Sequence, residues 1–307
     1  MQNNSLNLVF MGTPEIAVVC LDAIRGAGYH VKGVVTTPDK PAGRGQKMQY
    51  SAVKTYALNH KLPLLQPESL KDETFIENLQ AWEPDIQVVV AFRILPEIVW
   101  KMARICTFNL HTSYLPQYRG AAPIQWAIIN GESETGITTF IIDNQVDTGN
   151  ILLQEKISIP FDMTAGELYN IMCQKGSKLV LQTLDGLINH KLVPTPQKNS
   201  ENLKPAPKLT KENTQIQWHK TVLEIYNLVR GLNPHPSAWT IINGAYYKIH
   251  RVEPIIQIHH KPIAHIETDN KNYLHIYARD GYVKVIELQK EGKKNMDIQT
   301  FLRGNTV

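Results

Sequence analysis

The stretch LNLVFMGTPEIAVVCLDAIR, residues 6–25, opens with an apolar run, turns through Gly-Thr-Pro and continues with helical spacing. Leu6 to Phe10 reads as a buried strand and Pro14 to Arg25 as a helix. In the turn, Gly12 permits the tight bend, Thr13 is placed to cap the helix and Pro14 to fill its first position. A strand fed directly into a helix is the first half of a βαβ unit, and the pattern recurs downstream. Val31 to Thr36, Asp85 to Phe92 and Cys106 to His111 are strand-like, with helical spacing at Ser51 to His60 and Thr74 to Trp82. This alternation predicts an α/β fold, a Rossmann-like and mostly parallel sheet with helices on both faces. The turn has no GxGxxG pattern, and the glycines at 43 and 45 open no helix, so a dinucleotide site is poorly supported.

Beyond these units, Ile137 to Asp143 and Ile151 to Ile159 form a hairpin pattern, and a long helix runs from Thr164 to Ile188. Residues 189–207, NHKLVPTPQKNSENLKPAP, are polar, aperiodic and contain four prolines, the signature of an extended linker. The expected division is therefore a domain over 1–188, a linker over 189–207 and a second domain over 208–307. In the last, an amphipathic helix at Trp218 to Gly231 precedes short strands. Asn243-Gly244 between Ala238 to Ile242 and Ala245 to Val252 signals a type I′ hairpin, and Arg279-Asp280-Gly281 joins a second pair. One helix with several short strands suggests a small OB-like β-barrel, a common nucleic-acid-binding module.

The net charge of +4 hides an asymmetry. Residues 1–188 hold 15 Lys and Arg against 18 Asp and Glu, whereas residues 189–307 hold 17 against 10 and eight of the 11 histidines. A basic rear part suits a polyanion or is simply a solvated surface, and charge alone does not separate the two. No apolar run reaches the length of a membrane span and the N-terminus lacks the features of an export signal, which leads to the expectation of a soluble, cytoplasmic protein with no membrane partner. Cys20, Cys106 and Cys173 lie singly in apolar segments and read as buried thiols rather than a disulfide or metal framework.

The chemistry concentrates after the strand Cys106 to His111. Alternation puts Phe108 and Leu110 on one face and Asn109 and His111 on the other, at the C-terminal end where ligands of such sheets bind. A strand-end histidine is by itself more often structural. Small residues around Arg119 to Pro123 leave backbone open to a ligand, and the hairpin loop delivers Asp143 and Asp147. Imidazole, carboxamide and carboxylate without a Ser or Cys nucleophile suit acyl transfer to an external amine: the amide and imidazole hold an oxyanion, and the carboxylate orients the ring and helps move protons. A metal site is disfavoured because His111 and Asp147 lack an obvious third ligand.

Asn109-Leu110-His111-Thr112-Ser113-Tyr114-Leu115-Pro116, Arg119 to Ile124 and Asp147-Thr148-Gly149 resemble the motifs of the 10-formyltetrahydrofolate-dependent formyltransferases. The resemblance runs nearly end to end for the branch that acts on initiator methionyl-tRNA, through FMGTPE at 10–15, TPDKPAGRGQK at 37–47, TGITTFIID at 135–143 and YNLVRGLNPHPSAW at 226–239. It implies Asn109, His111 and Asp147 as the catalytic trio. It further implies a site for 10-formyltetrahydrofolate lined by Ser113, Tyr114, Leu115 and Pro116, with Val90, Phe92 and Asp143 contributing, no metal, and a monomeric enzyme. The basic loop of Lys40, Arg44 and Lys47 would meet the acceptor arm of the tRNA. Departures from the family pattern are a shorter loop at Phe92 to Pro96 and Gln145 where Gly is common. Formylation of a sugar nucleotide or another small amine, or a catalytically silent RNA-binding role, are the alternatives.

Overall fold

The computed structural model describes residues 6–42, 47–198 and 202–305. Two compact units emerge, one of residues 1–119, 136–157 and 170–204, the other of residues 120–135, 158–169 and 205–307. In chain order the elements to residue 188 are β1 (Leu8–Gly12), α1 (Glu15–Gly26), β2 (Val31–Val35), β3 (Lys40–Ala42), β4 (Lys47–Gln49), α2 (Ala52–Asn59), β5 (Leu64–Leu65), α3 (Glu73–Gln80), β6 (Ile86–Val90), α4 (Glu97–Trp100), β7 (Cys106–His111), α5 (Pro123–Ile129), β8 (Glu134–Ile141), β9 (Ile151–Ser158) and α6 (Ala165–Ile188).

The first unit is built on a seven-stranded sheet in the order β5-β2-β1-β6-β7-β8-β9. β5, β2, β1, β6 and β7 run parallel, and β8 pairs antiparallel with β7. The central strands are buried along their length, which is why β1 reads as an unbroken apolar run and β6 as one interrupted only by the buried Gln87. On one face Phe75 and Leu79 of α3 pack with Val9, Met11, Val35 and Val89. On the other, Gly176 of α6 lies against Leu110, where a Cβ would come within 2.8 Å of the leucine side chain. Met11, Val89 and Asn109 are register partners across β1, β6 and β7, so Asn109 belongs to the α3 face and emerges where that layer ends.

The expected N-cap at Thr13 is not formed. Pro14, in extended conformation, occupies the cap position of α1 with no side-chain hydrogen bond, and its carbonyl accepts from Ala17 N at 3.0 Å. The strand likewise sits two residues later than the apolar run suggests, because Gly12 still pairs with Val90 before the chain turns. Ser51 and Asp72 do cap α2 and α3, accepting from Lys54 N and Phe75 N at 2.9 Å.

In the second unit, α5 is joined by α7 (Val222–Gly231), the strands β10 (Ala238–Ile242), β11 (Ala245–Ile256), β12 (Ile266–Thr268), β13 (Leu274–Ala278), β14 (Gly281–Lys290) and β15 (Met296–Asp297), and α8 (Ile298–Leu302). The strands form one antiparallel sheet, β10-β11-β14-β13-β12 with β15 on β14. Its inner face closes on Val222, Ile225 and Val229 of α7 and Phe301 and Leu302 of α8. Positive φ at Asn243 (47°) and Gly244 (77°) makes the expected type I′ turn. The helix expected from Trp218 starts later, because Thr221 and Glu224 form a reciprocal capping box and Asp280 accepts from Val222 N at 2.8 Å. Gly231 lets α7 approach α5, where a Cβ would meet Ile129 at 2.7 Å. Among the described residues no helix is long and apolar enough to cross a membrane.

Candidate active site

β7 ends in Asn109, Leu110 and His111, and the pleat does the sorting anticipated from the sequence: Leu110 is buried against α6, while Asn109 and His111 share the opposite face. The His111 ring is buried and meets Phe140 of β8 edge-on, with centroids 6.4 Å apart. Its Nε2 lies 2.9 Å from the Tyr118 carbonyl. A carbonyl can only accept, so Nε2 carries the donated proton and Nδ1 is the nitrogen that faces Asp147, whose Oδ2 is 3.7 Å away. The imidazole is therefore fixed from two sides by chain segments far apart in sequence. Asn109 Oδ1 is buried without a hydrogen-bond partner among the described residues. A buried amide oxygen left in this state costs stability, and its place on the strand face it shares with His111 suits a polar ligand.

Asp147 reaches His111 because of its loop. The residue sits in the left-handed region, φ 57°, and two residues later Gly149 presses so close to the chain that a Cβ would lie 1.7 Å from the Ile141 carbonyl oxygen. Asp143 closes the turn from inside, its Oδ1 accepting from Gln145 N at 3.0 Å and Thr148 Oγ1 at 2.7 Å. One of its carboxylate oxygens is thus engaged within the loop.

The segment after β7 is strapped down by residues that sequence reading passed over. Thr138 of β8 donates to the Ser113 carbonyl at 2.8 Å and accepts from Leu115 N at 3.1 Å. Gln154 of β9 donates to the Leu115 carbonyl at 2.8 Å and to Thr138 Oγ1 at 3.0 Å. Ser113 is buried with its hydroxyl on the Gln117 carbonyl, and Leu115 is buried as well. Both hold the loop together from within; Tyr114 and Pro116 are the members of the run that remain partly exposed. Tyr114 packs over Gly136, and Lys156 approaches its ring to 5.4 Å.

Val90 is buried at the end of β6, and Ala91 turns the chain with φ 47°. Phe92 packs against the α3-side core. Arg93 folds over Phe92 and donates to the Pro67 and Glu68 carbonyls at 2.8 and 2.9 Å, and burial holds its pKa below the ordinary arginine value. Lys40 is exposed in β3, which pairs antiparallel with β4. Arg44 and the Lys47 side chain lie outside the described residues. Tyr118, Thr138, Gln154 and Gln197 are the residues missed: Tyr118 acts through its carbonyl, and the others become visible only when segments distant in sequence meet.

Models of two domain families match the chain, formyl transferase over residues 6–184 and formyl transferase C-terminal domain over 208–306. A methionyl-tRNA formyltransferase of Bacteroides thetaiotaomicron is 46% identical over 99% of this chain and 97% of its own length. Another, from Flavobacterium johnsoniae, is 46% identical over 98% of this chain and 96% of its own. Among solved structures, a sugar 3N-formyl transferase, WlaRD, crystallised in the presence of dTDP and 5-N-formyl-THF, is similar at TM-score 0.67 and 25% identity, covering 94% of this chain and 99% of that one. Methionyl-tRNA formyltransferase from Clostridium thermocellum shares the fold at TM-score 0.56 and 18% identity, covering 81% of this chain and 93% of that one. The chain belongs to the formyltransferase family, in the branch of the methionyl-tRNA formyltransferases.

Proposed function

We propose that this protein transfers the formyl group of 10-formyltetrahydrofolate to the α-amino group of methionyl-initiator tRNA, as a cytoplasmic monomer. The observation that carries the chemistry is the buried His111 imidazole held between the Tyr118 carbonyl and Asp147, on the strand face it shares with Asn109. The acceptor is supported by similarity to the methionyl-tRNA enzymes over nearly the whole chain.

The folate supplies a formyl carbon bonded to N10. Asn109 through its carboxamide N–H, and His111 through Nδ1 carrying a second proton beside the Asp147 carboxylate, hold the formyl oxygen as the amine adds and negative charge builds there. Nε2 is occupied by Tyr118, so the His111 nitrogen that serves the reacting group is Nδ1, on the Asp147 side. Asp147 steadies the ring and relays through water the proton lost by the amine toward N10, so that the new C–N bond forms as the C–N10 bond breaks. A free α-amino group has a pKa of about 7.7–8.0, which leaves a nucleophilic fraction near neutrality. Tyr114, Pro116 and the main chain around Val90 and Phe92 line the folate site, with Ser113, Leu115 and Asp143 shaping it. Lys40, Arg44 and Lys47, together with the basic residues beyond 189, bind tRNA phosphates.

The deciding experiment compares formyl transfer to charged initiator tRNA with transfer to free methionine and to an amino-sugar nucleotide. Efficient formylation of the tRNA alone is expected. Turnover of the sugar nucleotide with the tRNA inert would overturn the assignment of acceptor and leave that of the formyl donor standing.

A further inference from the structure

Resting on the reading that His111 and Asp147 carry the reaction, we infer that Gln197 is a positioning residue for that pair. It lies in the proline-flanked segment after α6, outside the motifs that point to the active site. Its carboxamide has two donor and two acceptor positions, and all four are engaged. Nε2 donates to the Asp147 carbonyl and the Gly149 carbonyl, both at 2.9 Å. Oε1 accepts from Arg119 Nε at 3.1 Å and Arg119 Nη2 at 2.6 Å.

What Gln197 joins are the two chain segments that fix the imidazole. Asp147 faces Nδ1 from one of them. Tyr118, the residue before Arg119, holds Nε2 with its carbonyl from the other. A single side chain thus spans the two supports of His111, and the separation of those supports decides where Nδ1 lies relative to the carboxylate. The hairpin tip needs such a tether: Asp147 is left-handed, and no regular strand pairing reaches it. Gln197 is itself held in register, since Thr195 pairs with Ile151 at the start of β9 through N–H···O bonds of 2.8 and 2.9 Å. The chain after α6 therefore runs along the catalytic sheet as a short extra rung that delivers one amide to the base of the Asp147 loop.

Gln197→Glu separates the two halves of this role. It keeps oxygens for Arg119 but removes both donors and sets a carboxylate against two carbonyls. Gln197→Ala removes everything. In the full chain both variants are expected to lower kcat about 10- to 100-fold, the range typical of a misplaced catalytic group, with KM for both substrates within about twofold and melting temperature nearly unchanged for Gln197→Glu. A general folding defect would also lower apparent kcat, so single-turnover rates with excess enzyme are measured for Asp147→Asn and Asp147→Asn/Gln197→Ala. If Gln197 works through Asp147, its removal changes the rate of the Asp147→Asn enzyme less than about twofold. An equal loss in both backgrounds, a Gln197→Glu enzyme as active as wild type, or an unaffected Gln197→Ala enzyme overturns the inference. Wild-type turnover by Asp147→Asn alone would instead overturn the underlying assignment of the catalytic pair.

Discussion

At the scale of single residues, the site depends on groups whose chemistry is ordinary and whose placement is not. His111→Ala is expected to lower turnover by about 10³-fold or more, with tRNA affinity kept within twofold, measured by steady-state kinetics and filter binding. Gly149→Ala tests the placement rather than the chemistry. Its methyl group would lie 1.7 Å from the Ile141 carbonyl oxygen, so the loop must move and carry Asp147 with it. The expected result is a stability loss of about 1–3 kcal/mol in denaturant unfolding, together with a kcat deficit that added substrate does not restore. Asn109 and His111 were legible in the sequence because a strand's alternation assigns faces without further information. The Tyr118 carbonyl was not. A main-chain acceptor has no residue-type signature, and the left-handed φ of 60° at Tyr118 occurs at a residue type that does not advertise it.

Among elements, the parallel strands, and with them the place of Asn109 and His111 at the C-terminal end of β7, follow from apolar runs alternating with helical spacing. Boundaries slipped where local side-chain chemistry decided them. α7 starts at the Thr221–Glu224 capping box rather than at Trp218, and the box has a measurable pH signature. Hydrogen bonds from Thr221, then the Lys220 ammonium, hold the Glu224 carboxyl at about 2, down from 4.5. A carboxyl depressed in the folded state contributes stability that is full above about pH 4.5 and fades as pH falls toward 2. Glu224→Gln should therefore lose stability relative to wild type near neutrality, with the difference narrowing on acidification through that window in thermal melts. Thr221→Ala, which removes the cap itself, should cost about 1 kcal/mol. In the first unit, the cross-links from β8 and β9 to the Ser113–Pro116 loop predict a binding defect: Gln154→Ala removes a donor from the Leu115 carbonyl and should raise KM for 10-formyltetrahydrofolate roughly two- to tenfold while changing kcat little. These straps were invisible beforehand, because Thr138 and Gln154 sit in strands where a polar residue usually means a solvent-facing position.

For the whole molecule, the charge asymmetry takes its meaning from the motifs, since charge alone does not separate a polyanion site from a solvated surface. The excess of Lys and Arg after residue 189, with a slightly acidic stretch before it, fits a polyanionic tRNA substrate. Binding of initiator tRNA should weaken steeply between about 50 and 200 mM salt, as counterion release requires, whereas KM for 10-formyltetrahydrofolate should respond far less. A flat salt response in filter binding would remove the phosphate contacts from the picture. The segment 189–207 illustrates what composition conceals: its prolines and polar residues read as an extended linker, yet Thr195 and Gln197 make specific hydrogen bonds to β9 and the Asp147 loop. Extended and unengaged are different physical statements, and only the first is written in residue type.

The most direct test is the single-turnover rate of formyl transfer to methionyl-initiator tRNA at saturating 10-formyltetrahydrofolate, wild type against Asp147→Asn. A fall of about 10³-fold or more with tRNA binding intact is the expected result. Equal rates for the two enzymes would show that the carboxylate facing His111 takes no part in the chemistry.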